Sequence, residues 1–136
     1  MPRGRLVIIA VAAGTAAVTN LILYGAGRAA GGTFRFTSAG GPAEVDGVTV
    51  AAFSVVPLLV GLVAVALLAR LGAWVVRAAL VIGPLLAVAT IAVMTLPADL
   101  DTVSTVTLAL CHLALVPVIV VAVRALDRRQ VGLPVR

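Results

Sequence analysis

The sequence predicts an all-α membrane protein: an antiparallel bundle of four transmembrane helices, with an extracytoplasmic β-hairpin between helices 1 and 2. Three observations predict it. Four apolar runs, residues 6–26, 48–69, 73–97 and 102–123, each approach the roughly 20 residues that cross a bilayer. Arginines gather at one set of run ends. The one sizeable connection, residues 27–47, carries an alternation of apolar and polar side chains. At 62% apolar residues in a chain of 136, four spans and their connections use up the length, so one membrane domain over 1–136 is expected, without a separate soluble unit.

The first span follows a short basic segment, Met1 to Arg5, which together with Ala26, Ala29 and Ala30 beyond the run invites a signal-peptide reading. The run is about 21 residues, longer than the 7–15 of a signal peptide's apolar region, so an uncleaved span is expected. Ala10 and Gly14, with Ala13 and Ala17 beside them, form a row of small residues that predicts a helix-packing seam. Gly25-Ala26-Gly27-Arg28-Ala29-Ala30 imitates a glycine-rich nucleotide loop. It follows a membrane helix and lacks a βαβ setting, and reads instead as a flexible exit from the bilayer.

In the connection, Thr33-Phe34-Arg35-Phe36-Thr37 alternates, Ser38-Ala39-Gly40-Gly41-Pro42 reads as a turn, and Glu44 to Val50 alternates again, which predicts a hairpin. Asp46-Gly47 offers a rival two-residue turn, so the register stays open. Phe34 and Phe36 are expected on one face, against helix ends or the lipid interface.

The remaining spans are joined by short links near Leu71-Gly72 and over Pro97 to Asp101, so sequential neighbours should pack antiparallel. Ala79, Gly83 and Ala87 form a second small-residue row on the third span. Pro57, Pro84 and Pro117 each remove a backbone donor and predict kinks. Trp74, between Arg70 and Arg77, is expected to anchor at the inner interface and Tyr24 at the outer one.

Charge sets the expected orientation. Arg3, Arg5, Arg70, Arg77, Arg124, Arg128, Arg129 and Arg136 fall on one side with Asp127; Arg28, Arg35, Glu44, Asp46, Asp99 and Asp101 fall on the other. The positive-inside tendency then places both termini in the cytoplasm of a multi-pass cell-membrane protein, with residues 124–136 as a short basic tail mobile against the anionic leaflet. The net charge of +5 is accounted for in this way, and no nucleic-acid partner is expected.

The chemistry available within the spans is sparse. Asn20, Ser54, Thr90, Thr105, Thr107 and His112 are polar and fall in the outer half of the spans or near the midplane, where no Asp, Glu or Arg falls. Asp101, Thr105, Leu108 and His112 follow one another at three- and four-residue steps, which predicts a polar stripe from the outer mouth to the bilayer centre, facing the bundle. The candidate intramembrane site is therefore His112, Thr105, Asp101, Asn20 and Thr90. An ionisable group at the midplane is a functional hypothesis by default. Its alternatives are a neutral structural histidine bonded to Asn20, Thr90 or the carbonyl freed by Pro117, and metal or haem ligation, which a single histidine supports poorly. The lone Cys111 excludes a dithiol relay and reads as a small packing residue. No nucleophile, base and metal set assembles, so no enzyme activity, cofactor or metal is expected.

Arginine-rich ends, four spans, a glycine-rich first outer loop closing as Val48-Thr49-Val50, and Cys111-His112-Leu113 in the last span resemble a family of small actinobacterial four-span membrane proteins of unknown function. The resemblance implies a fold and a compartment and no activity. Small multidrug transporters fit less well, because the first span has Thr15, Thr19 and Asn20 and no glutamate. Two function classes follow. The first is a non-enzymatic accessory or interaction protein of the cell envelope, docking another membrane or envelope protein. The second is a small transporter or channel, a homo-oligomer with a polar path at His112. The lipid bilayer is a partner in both.

Overall fold

The computed structural model describes residues 3–131, with side chains through Arg128. Four helices account for most of it: α1 (Arg3–Ala29), α2 (Gly47–Leu68), α3 (Ala73–Thr90) and α4 (Thr102–Val131). A hairpin of β1 (Arg35–Ser38) and β2 (Gly41–Glu44) lies between α1 and α2. A 3-10 turn, Ala69–Leu71, prolongs α2, and a π-helical segment, Ile91–Thr95, prolongs α3. With these extensions all four helices are long and apolar enough to cross a membrane.

α1 runs straight through the glycine-rich segment expected to be a flexible exit. It stops at Gly31, which takes φ 95° while Gly32 N–H returns to the Gly27 carbonyl (2.9 Å) and Gly31 N–H to that of Arg28 (3.1 Å). This pair of bonds is the Schellman closure, which places a glycine in the left-handed conformation one residue past the cap. α2 starts at Asp46, whose side chain accepts the Thr49 N–H at 2.7 Å, and that bond holds the carboxyl below its ordinary pKa.

The N-cap at Asp46 corrects the hairpin. Residues 47–50 begin a helix, so the second strand is Gly41–Glu44 in place of Glu44 to Val50, and Asp46-Gly47 forms no turn. The register is Arg35↔Glu44, Phe36↔Ala43, Thr37↔Pro42 and Ser38↔Gly41, with the chain reversing over Ala39-Gly40. Alternation alone misled because Asp46-Gly47-Val48-Thr49 is also a helix start, and the cap bond decides between the two. Phe34 precedes β1 at φ 57°, so its side chain leaves the strand alternation.

The packing is uneven. α1 lies against both α2 and α4, and α3 lies against α4, whereas α2 and α3 touch little despite their tight link. Near the end that gathers Arg3, Arg5, Arg70, Arg77, Arg124 and Arg128, the core joins Ile9, Ala12 and Ala16 to Leu62, Val65, Ala66, Ala122, Val123 and Leu126. Arg5 there donates to the Ala66 carbonyl (2.9 Å), one of the acceptors that a helix end leaves free.

The small-residue rows divide. On α1, Ala10 and Gly14 face outward with nothing near Gly14; of the expected row only Ala13 is buried, and it joins Ala12 and Ala16 in the seam. On α3 the expected row does face a neighbour: a Cβ on Gly83 would come within 2.8 Å of Ile119. In place of a tail beginning at Arg124, α4 continues as helix to Val131; Arg136 and the Arg129 side chain lie outside the described residues.

Candidate functional site

Two regions concentrate the polar groups. The first is the loop end, where the hairpin is fastened onto the start of α4. Asp101 is the N-cap of α4: its Oδ1 accepts the Ser104 N–H at 2.9 Å. Its Oδ2 accepts the Thr33 N–H (2.9 Å), the Thr33 hydroxyl (2.8 Å) and the Ser104 hydroxyl (2.6 Å). Ser104 Oγ in turn accepts the Phe34 N–H at 2.8 Å. Asp99 accepts both the N–H and the hydroxyl of Thr37 at 2.7 Å. Glu44 pairs with Arg28 at 2.9 Å and meets Arg35 at 3.5 Å. The Ser104 bonds, with those from Thr33, hold Asp101 far below the ordinary carboxylate range, and the Thr37 bonds lower Asp99 in the same sense.

Phe34 is the apolar half of this fastening. It is fully buried, its ring centroid is 4.7 Å from that of Tyr24, and it fills space left by Gly27 and Gly32, where a Cβ would stand 2.9 Å from its ring. Burial of a phenylalanine contributes about 1.5–3 kcal/mol, enough to offset the roughly 1–3 kcal/mol of a left-handed non-glycine residue. Tyr24 is thus half-buried against Phe34, while Trp74 is 62% exposed near the arginine-rich end.

The second region is a cleft of about 720 Å³ between α2 and α3, with α4 behind it and the hairpin residue Phe36 at its loop end. Its wall is mostly aliphatic. Of the sequence-predicted site residues it collects Asn20, Thr90 and His112, and it leaves out Asp101 and Thr105. Thr105 donates to the Asp101 carbonyl (3.0 Å) and Thr90 to the Ala87 carbonyl (2.8 Å). Asn20 Nδ2 donates to Ser54 Oγ (2.7 Å), and Ser54 donates to the Val50 carbonyl (2.6 Å). His112 Nδ1 lies 2.8 Å from the Leu108 carbonyl. A carbonyl only accepts, so Nδ1 carries the proton. Its partner belongs to its own helix; neither Asn20, Thr90 nor the carbonyl freed by Pro117 supplies it. Cys111 is buried, with its sulfur 3.8 Å from the Asn20 carbonyl. Among the described residues no three His, Cys, Asp or Glu side chains come together.

Sequence reasoning missed Ser104 and Asp99 as members of the loop fastening. A signal for Ser104 existed: Asp101 ahead of an apolar run, with a hydroxyl three residues on, is an N-cap spacing, the device that also starts α2 at Asp46. No comparable signal marks Thr33 and Thr37 as partners of residues more than 60 positions away.

Four spanning helices with a small hairpin over one end define a multi-pass membrane protein. The family of unknown function DUF6069 matches residues 2–129, nearly the whole chain, and the protein belongs to it. No curated protein and no solved structure matches the chain.

Proposed function

We propose that the protein is a non-enzymatic accessory or interaction protein of the cell membrane, which acts by holding an apolar partner in the α2–α3 cleft. The cleft itself carries this reading: two helices joined by the shortest link stand apart, and the gap between them is lined by aliphatic side chains. A pocket of several hundred Å³ with an apolar wall and few polar groups has the make-up of a binding site. The gathering of Arg3, Arg5, Arg70, Arg77, Arg124 and Arg128 at one end supports an orientation with both termini cytoplasmic.

The transporter alternative asks for a polar path from Asp101 to His112. Against it, Asp101 and Thr105 are engaged at the loop end and do not line the cleft. Native mass spectrometry of the full chain, extracted gently from its own membrane, tests the choice. A retained apolar molecule or a second protein is the expected result. A bare homo-oligomer whose proton or solute flux in liposomes disappears in His112→Ala would sink the accessory reading.

A further inference from the structure

This inference rests on the cleft being the working surface and concerns what occupies it. One group on the cleft wall holds a buried hydrogen-bonding atom that the protein leaves without a partner. Asn20 is 1% exposed, and its Oδ1 is buried and unbonded. Turning the amide over does not help. The Ser54 hydroxyl proton is committed to the Val50 carbonyl, so Ser54 Oγ needs a donor and Nδ2 must face it. His112, on the same wall, keeps its Nδ1 toward the Leu108 carbonyl of its own helix.

The orphan is an acceptor, and it lies in a helix long enough to span a bilayer, where water is scarce and an unmet buried polar group costs on the order of 1–3 kcal/mol. The missing counterpart is a donor. No Asp or Glu lines the cleft to balance an ammonium, and no Arg lines it to balance a phosphate. A neutral donor on an apolar body remains, which is a hydroxyl. The volume of about 720 Å³ suits one small lipid and falls well short of a further transmembrane helix.

We propose that the α2–α3 cleft binds a neutral, hydroxyl-bearing lipid that enters sideways from the bilayer, with its hydroxyl donating to Asn20 Oδ1 and its apolar body between α2 and α3. Gly61 supplies the control, because it lines the cleft and a Cβ there meets nothing within 4 Å. Gly61→Leu therefore starts an apolar side chain into the cleft from a Cβ that meets no neighbour.

The experiment is native mass spectrometry of the full chain in detergent micelles, titrated with hexadecanol or with its methyl ether, which has the same chain and no donor. One hexadecanol per chain is expected, with the ether about tenfold weaker, the worth of one hydrogen bond to an otherwise unmet acceptor. Gly61→Leu should lose both ligands while unfolding like the unaltered chain, and Asn20→Leu, which keeps the side-chain size and removes the acceptor, should bind the alcohol no better than the ether. Equal binding of alcohol and ether, both lost in Gly61→Leu, would overturn the hydroxyl assignment and leave the cleft as the working surface. Binding indifferent to Gly61→Leu would overturn the assignment and the cleft together. Failure of both probes to bind, with Asn20 Oδ1 met by an internal water, would likewise overturn the proposal.

Discussion

The seam between α1 and α4 and the gap between α2 and α3 are built from the same residue types and end up opposite. The first joins the two ends of the chain, yet it is closed: Ala12 and Ala16 let the backbones approach, Ala122, Val123 and Leu126 fill in behind them, and Phe34 plugs the loop end. The second joins consecutive helices and is open. Lipid gives no hydrophobic drive for two helices to meet, so contact follows side-chain fit and polar fastening more than nearness in sequence. The α1–α4 seam has both, through small residues along its length and the Thr33–Asp101–Ser104 bonds at its end. The α2–α3 pair has Phe53, Leu86 and Met94 on the cleft wall and no polar bond between the two helices among the described residues.

The strongest way to break this contrast is to unplug the closed seam. Phe34→Ala should destabilise the protein by about 3–5 kcal/mol, read as earlier unfolding in mixed detergent and SDS, because it empties a fully enclosed site. An effect below 1 kcal/mol would mean that the plug is ornamental and that the fastening is entirely polar.

A paired substitution sharpens the contrast at intermediate size. Gly83→Ala puts a methyl within 2.8 Å of Ile119 on the closed α3–α4 side and should cost about 1–3 kcal/mol. Gly61→Ala, on the open side, should be neutral or slightly stabilising, since nothing lies near its Cβ and alanine is the better helix former. Equal costs at the two positions would show that the gap closes in the membrane.

The smallest effect is a dependence on acid. Asp99 and Asp101 have folded pKa values below the ordinary value near 4, so the stability they contribute is present above that value and drains away as pH falls through the folded one. Hairpin amides should therefore stay protected from hydrogen exchange at neutral pH and lose protection progressively below about pH 4. Asp101→Asn should show much of that loss already at pH 7, because the amide accepts fewer bonds than the carboxylate. Unchanged protection down to pH 2 would remove the carboxylates from the account.

Much of this was legible in the residues, and the misses have particular causes. The spans, the hairpin's place and the Ala79–Gly83–Ala87 face follow from apolar run length, turn chemistry and helical spacing, which act locally. Alternation from Glu44 to Val50 favoured a strand because hydrophobic period alone does not see the Asp46 cap bond. The Ala10–Gly14 row was indistinguishable from Ala12–Ala16 in so alanine-rich a helix, and only the position of α4 and α2 selects the buried face.

The sequence by itself determined that this chain has four segments long and apolar enough to cross a membrane, where its one structured loop lies, and which end carries most of the arginines, since each is a property of local composition acting against a fixed solvent. The tertiary structure alone decided that Asp101 binds the loop instead of lining a path, that Ser104 lies beneath Phe34, and that Asn20 and His112 share a cleft. Those facts depend on which helix faces stand opposite one another, and in lipid that choice rests on pairwise fit between distant residues.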